Sequence, residues 1–216
     1  HARVLLEREP DNVDALLMRA QAKALRDDIE GQIQDLERAA ELAPDRAAIP
    51  LLLGQAQLRR GDFEASEQAL RRMPELDKTT RAYVYWAAFL MERDRRDEAI
   101  AAMKTALELA TTDEERLQTR TRLANLYVTS GRLDDAERVM QEALAADPDS
   151  SELLAQLARF YVYRGQVPKA EEMLRQQVER KPSEATAYLT LALFYESLER
   201  PSDALATLDR ALAVAP

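Results

Sequence analysis

The prolines of this chain keep a fixed interval. Pro10 and Pro44 lie 34 residues apart, and Pro148, Pro182 and Pro216 repeat that spacing. Each closes a similar phrase, as in Ala40-Glu41-Leu42-Ala43-Pro44, Ala145-Ala146-Asp147-Pro148 and Ala213-Val214-Ala215-Pro216. Small residues run in step: Ala20, Gly54, Ala87, Ala124, Ala158 and Ala192. A second set follows each by 12: Gln32, Ser66, Ala99, Ala136, Ala170 and Ala204. Between the sets lies a turn, as in Arg60-Gly61-Asp62, Ser130-Gly131-Arg132 and Arg164-Gly165-Gln166. Glycine there suits the left-handed conformation that stops a helix. A phrase of this period is one small supersecondary unit. It cannot enclose a core alone, so copies must stack on their neighbours and contacts stay local.

Composition says what the unit is made of. The 216 residues include 37 Ala and 32 Leu but nine Val and four Ile. Ala and Leu favour helix, whereas β-branched residues favour strands. In the fifth phrase Leu154, Leu157, Ala158 and Tyr161 fall on one helical face. Ala170, Met173, Leu174 and Gln177 do the same after the turn. Each unit therefore reads as helix A, turn, helix B, turn. Pro168 and Pro201 sit in the first turn of a helix B, where a missing N–H costs nothing. Pro74 falls late in a helix B and is expected to end it early. Extra residues around Ala110–Glu115 predict a longer turn, or an extended helix capped by Thr112 or Asp113.

The phrase resembles the tetratricopeptide repeat (TPR) family, whose pattern places Leu at position 7, a small residue at 8, Tyr at 11, Ala at 20 and 27 and Pro at 32. Residues 117–150 carry Leu123, Ala124, Tyr127, Ala136, Met140, Ala143 and Pro148. Residues 151–184 carry Leu154, Leu157, Ala158, Tyr161, Ala170, Leu174 and Pro182. Residues 185–216 carry Tyr188, Leu191, Ala192, Tyr195, Ala204, Leu208, Ala211 and Pro216. Three earlier copies, 13–46, 47–79 and 80–116, match less closely. Arg19 stands at position 7 and Gln32 at position 20 of the first; Pro50 and Pro74 interrupt the second; Trp86 holds position 7 of the third. Residues 1–12 read as the end of a preceding helix B. The resemblance implies an all-α, right-handed α-solenoid of about six antiparallel helix pairs. The chain also starts inside the phrase and closes without a polar capping helix, so a fragment of a longer, bacterial protein is expected.

Several classes of chemistry are excluded by what is missing. Without Cys there is no thiol nucleophile, disulfide or Cys-based metal site. The single His, His1, leaves no multi-histidine metal site and no histidine base. Asp27-Asp28, Glu114-Glu115, Asp134-Asp135 and Glu171-Glu172 are neighbours on helices and do not face each other across a cleft. They read as solvated faces or first-turn acids. No phosphate loop or calcium loop is present. No catalysis and no cofactor or metal is expected. The formal charge of −9 is spread along the chain with no basic block, which argues against nucleic acid as a partner. No apolar run is long enough to cross a membrane, so direct insertion of this segment is not expected. The compartment, cytoplasmic or periplasmic, is left open, since a targeting signal can lie outside the segment.

Binding of a protein or peptide is what the resemblance implies, in a concave groove lined by the A helices. Carried onto this sequence, the groove has an apolar stripe of Leu17, Leu51, Leu58, Val84, Met91, Val128, Val162 and Leu189. Arg59, Arg81 and Arg159 lie beside it. The alternative for each apolar residue is packing against the next repeat. Asn125 alone fits the Lys/Asn clamp with which chaperone-binding relatives hold a peptide C-terminus. Thr121, Gln156, Thr186 and Thr190 stand where its other members would be, so such a clamp is not expected. Tyr163 is the strongest candidate for an exposed anchor, because aromatics carry much of the energy of binding. The first reading is a non-catalytic interaction scaffold. The rivals are an assembly platform of bacterial envelope machinery for secretion or exopolysaccharide export, and the repeat region of an enzyme whose catalytic domain lies elsewhere. Self-association is a further possibility.

Overall fold

The computed structural model describes residues 2–214, with side chains from Val4 onward. Ala215 and Pro216, which close the sixth phrase, and His1 lie outside the described residues. Among the described residues there are fourteen helices and no strand. The fold is all-α, as the composition requires. Contacts divide the chain into two units, residues 1–119 and 120–216.

The first unit begins with α1 (Ala2–Arg8) and continues with α2 (Val13–Ala24), α3 (Ile29–Leu42), α4 (Ala48–Arg60), α5 (Phe63–Arg71), α6 (Met73–Leu76), α7 (Thr80–Glu92) and α8 (Arg96–Leu109). Residues 113–119 are the start of α9 (Asp113–Thr129). Side chains stop the backbone from fraying. Asn12, Asp28, Asp62 and Thr79 each accept a hydrogen bond from the amide three residues on. Such caps contribute about 1 kcal/mol each.

The irregular phrases have local explanations. Arg19, where the pattern has Leu, reaches Asp35 on α3 through two hydrogen bonds of 2.8 and 2.7 Å. Lys23 meets the same carboxylate at 2.9 Å, and Asp35 is only 4% exposed. Ser66, where the pattern has Ala, donates to the carbonyl of Gly54 at 2.8 Å and is fully buried. Gly54 is needed because an added Cβ would lie 2.4 Å from Leu70 Cγ. Pro74 acts as expected. Helix α5 ends at Arg71 after nine residues, and the chain restarts in the four-residue α6. The extra residues before α9 form a cap. Thr112 Oγ1 accepts from the Glu115 amide at 3.1 Å while Glu115 accepts from the Thr111 amide at 2.9 Å, which resolves the choice between turn and extended helix in favour of the helix.

The second unit holds the rest of α9, then α10 (Leu133–Ala146), α11 (Ser151–Tyr163), α12 (Val167–Arg180), α13 (Ala185–Ser197) and α14 (Pro201–Val214). Ala124, Ala136, Ala158, Ala170, Ala192 and Ala204 are all buried, so the small residues lie where helices approach closely. Leu123, Leu157 and Leu191, at position 7, are buried as well. Gly131 and Gly165 turn with φ of 72° and 73°, and Gly61 in the first unit with 87°. At the equivalent turns Asp27, Asp94 and Glu199 accept the same left-handed backbone, at φ of 59°, 58° and 56°. That conformation is strained for a residue with a Cβ.

Candidate functional site

The second unit contains an open groove with a volume of about 510 Å³. One wall is α11, through Ser151, Glu152, Ala155, Arg159 and Val162. The other is α13, through Thr190, Leu193 and Ser197. Leu174 of α12, with Ala158 and Phe194, forms the floor. The sequence explains the space. Position 5 of the repeat carries Leu17, Leu51, Val84, Thr121 and Leu189 elsewhere, but here it is the smaller Ala155. A small residue at this position, beside the small Ala158, leaves room between the two walls, while Leu174 and Phe194 beneath stay buried at 1% and 6% exposure.

Both walls are anchored from behind. Tyr161 on α11 donates to Glu137 on α10 at 3.1 Å, and Arg164 and Lys169 reach the same carboxylate at 2.5 and 2.7 Å. One repeat on, Tyr195 on α13 donates to Glu171 on α12 at 3.1 Å, joined by Arg200 at 2.7 Å and Arg175 at 2.7 Å. The Lys169 hydrogen bond outweighs partial burial and holds the Glu137 carboxyl below its ordinary range. The Arg200 hydrogen bond does the same for Glu171. Burial, with the Glu171 charge, pushes the Tyr195 phenol up. The tyrosines were legible as repeat positions. Their glutamate partners were not; Glu recurring at position 21, at 67, 137 and 171, was the clue, and Glu67 likewise pairs with Arg95.

Charge inside the groove is sparse and unevenly satisfied. Glu152 accepts a hydrogen bond from Gln156 at 2.8 Å. Arg159 is exposed and has no ion-pair or hydrogen-bond partner among the described residues. The groove can therefore take an apolar side chain between Val162 and Leu193 and set an acceptor group against Arg159.

The thirteen residues singled out from sequence separate into distinct places. Arg159 and Val162 line this groove. Tyr163, 67% exposed, follows Arg159 by one helical turn, and Leu189 is 43% exposed on α13. Asn125 is exposed and Val128 half-buried on α9. In the first unit the expectation meets competition. Leu17 is buried, 8% exposed, in the cluster of Leu16, Ile33 and Leu36, so packing and not docking explains it. Leu51 and Leu58 are half-buried against Leu70, Met73 and Phe89. Arg59 is held by Asp27 at 2.8 Å and Gln32 at 3.3 Å. Arg81 lies over the Tyr85 ring, 5.9 Å from its centroid. Val84 and Met91 are half-buried on α7. Leu174 and Phe194, the floor of the groove, were absent from the sequence-based set because both occupy ordinary core positions.

Among the described residues no group of three or more acidic or histidine side chains is arranged to hold a metal ion, and no helix is long and apolar enough to cross a membrane.

Comparison with known proteins gives a consistent picture. Family profiles described as tetratricopeptide repeat match residues 33–88 and 127–188, residues 78–149, and residues 185–216. No curated protein sequence matches the chain. Solved structures are similar in fold. YrrB, described as a TPR protein with an unusual peptide-binding site, has a TM-score of 0.59 at 16% identity, covering 86% of this chain and 95% of that one. PilF of Pseudomonas aeruginosa has 0.58 at 16% identity, covering 90% and 88%. A chain from the Cut9–Hcn1 heterotetramer of the APC/C has 0.54 at 17% identity, covering all of this chain and 42% of its own.

Proposed function

Because the chain belongs to the tetratricopeptide repeat family, a family of helical scaffolds for protein–protein interaction, we propose that it works without catalysis by holding a peptide segment of a partner in the α11/α13 groove. The observation that carries this reading is an open groove whose apolar wall residues Val162 and Leu193 stand beside an arginine with no partner. An uncommitted guanidinium beside apolar surface offers both recognition elements that a short peptide motif needs. The walls are already fixed by the Glu137 and Glu171 networks, so little ordering cost accompanies binding. A peptide-binding site attributed to YrrB lends the reading a precedent on this fold. Tyr163 and Leu193, exposed on either side, are the expected flanking contacts.

Peptides selected from a displayed random library on the purified protein test the proposal. Calorimetry on Arg159→Glu combined with Tyr163→Ala is expected to show a loss of about tenfold or more, since reversing one contact charge and truncating one aromatic anchor each cost on the order of 1 kcal/mol. Unchanged affinity in this variant sinks the groove as the site.

A further inference from the structure

The sole tryptophan lies in the first unit. Trp86 on α7 holds repeat position 7, where the second unit has the buried leucines 123, 157 and 191. Trp86 is only half-buried. Its exposure follows from Pro74, which has no N–H to continue the helix ladder. With α5 stopped at Arg71 and only the short α6 beyond it, a cleft of about 630 Å³ opens beside α8. Trp86 and Tyr83 line it, and the indole is steadied by stacking on Phe89, with centroids 5.5 Å apart and planes at 13°.

The charges around the cleft are divided. Arg95 is occupied by Glu67 and Glu98. Arg71 and Lys78 also line the cleft and have no partner among the described residues. We propose that this cleft is a second docking site, for an extended acidic peptide that sets an apolar or aromatic side chain against Trp86 and a carboxylate against Arg71 and Lys78. A ring packed on the indole gains area and favourable π geometry. The two free cations ask for an acceptor. Glu67, Glu75 and Glu98 line the same cleft and repel a polyphosphate with its concentrated charge, whereas a peptide brings single carboxylates and backbone N–H groups that the glutamates can accept.

The position of Trp86 supplies its own reporter. The experiment titrates the purified protein with acetyl-Glu-Leu-Phe-Glu-amide and follows tryptophan emission. The expected result is a saturable shift to shorter wavelength, absent with acetyl-Gln-Leu-Phe-Gln-amide. Arg71→Ala with Lys78→Ala should weaken it roughly fivefold, the combined worth of two exposed charge contacts. Both side chains are exposed, so helical circular dichroism should be unchanged in that variant. Arg159→Glu should leave the emission response intact, which separates this site from the α11/α13 groove. Overturning results are no saturable change, an equal response to the neutral peptide or to inorganic phosphate, or loss of the response in Arg159→Glu.

Discussion

In the second unit, Glu137 and Glu171 each gather a tyrosine from the next helix and two cations, of which Arg175 lies on the same helix as Glu171. In the first unit the same repeat position carries Ile33, Glu67 and Ile100, and the buried charge is instead Asp35 between Arg19 and Lys23. Both solutions fasten one helix to another. They differ in what they leave over. In the first unit the groove-position cation Arg59 is spent on Asp27, and Leu17 is buried, while the broken helix B exposes Trp86 on a different face. In the second unit the helices are regular, and Ala155 leaves space between α11 and α13 beside an uncommitted Arg159. The repeat pattern thus sets the helices, and departures from the pattern decide which surface stays available.

The largest test of that comparison concerns what the units share. Leu36→Ala in the first unit and Leu154→Ala in the second remove side chains that are 0% and 1% exposed. Each should cost about 3 kcal/mol in urea denaturation. A small effect in one of them would show that the two cores are not built alike.

The next change belongs to the first unit alone. Gly54→Ala pushes a Cβ against Leu70 and should cost about 1–3 kcal/mol by overpacking, whereas the second unit already carries Ala158 at the equivalent position. Retained stability in Gly54→Ala would mean that α4 and α5 can separate freely.

Glu171→Gln should cost about 1–2 kcal/mol, because it weakens charge-assisted hydrogen bonds to Arg200 and Tyr195. It should also alter the pH profile. Burial raises Asp35, but the hydrogen bonds from Arg19 and Lys23 outweigh it and hold the carboxyl below its usual range. Glu137 and Glu171 are lowered too. A lowered carboxylate stabilises the fold fully above its unfolded value, and the contribution is lost as pH falls through the native value. Urea midpoints should therefore drop between about pH 5 and pH 3, and Glu137→Gln with Glu171→Gln should flatten that drop. An unchanged slope would remove these networks from the account.

The smallest effect is a gain. Glu199 turns with φ of 56°, and Glu199→Gly should stabilise by about 0.5 kcal/mol, the relief of a Cβ from left-handed backbone less the entropy of glycine. Gly165→Ala at the matching turn should do the reverse, and thermal melts of the pair check both signs.

The helices, their small-residue contacts and the Pro74 break were readable from the sequence, because a fixed period and an absent N–H act locally. The cap at Thr112 and Glu115 was half readable, since the residues were visible but helix and turn were both open. The groove was read less well. Sequence position marks which face a residue occupies, so Arg159, Val162 and Tyr163 could be chosen. It does not show which positions are already filled, so Leu17, which packs in the core, was included. Ion pairs between helices, such as Arg59 with Asp27, depend on a separation of 32 residues that no local pattern encodes.

Peptide docking between α11 and α13 is observed residue by residue in nuclear magnetic resonance of the methyl groups while a library-selected peptide is titrated. Shift changes should centre on Ala155, Val162, Leu174 and Leu193, and Arg159→Glu should suppress them. Changes centred away from α11 and α13, with those four methyl groups unmoved, would contradict docking there.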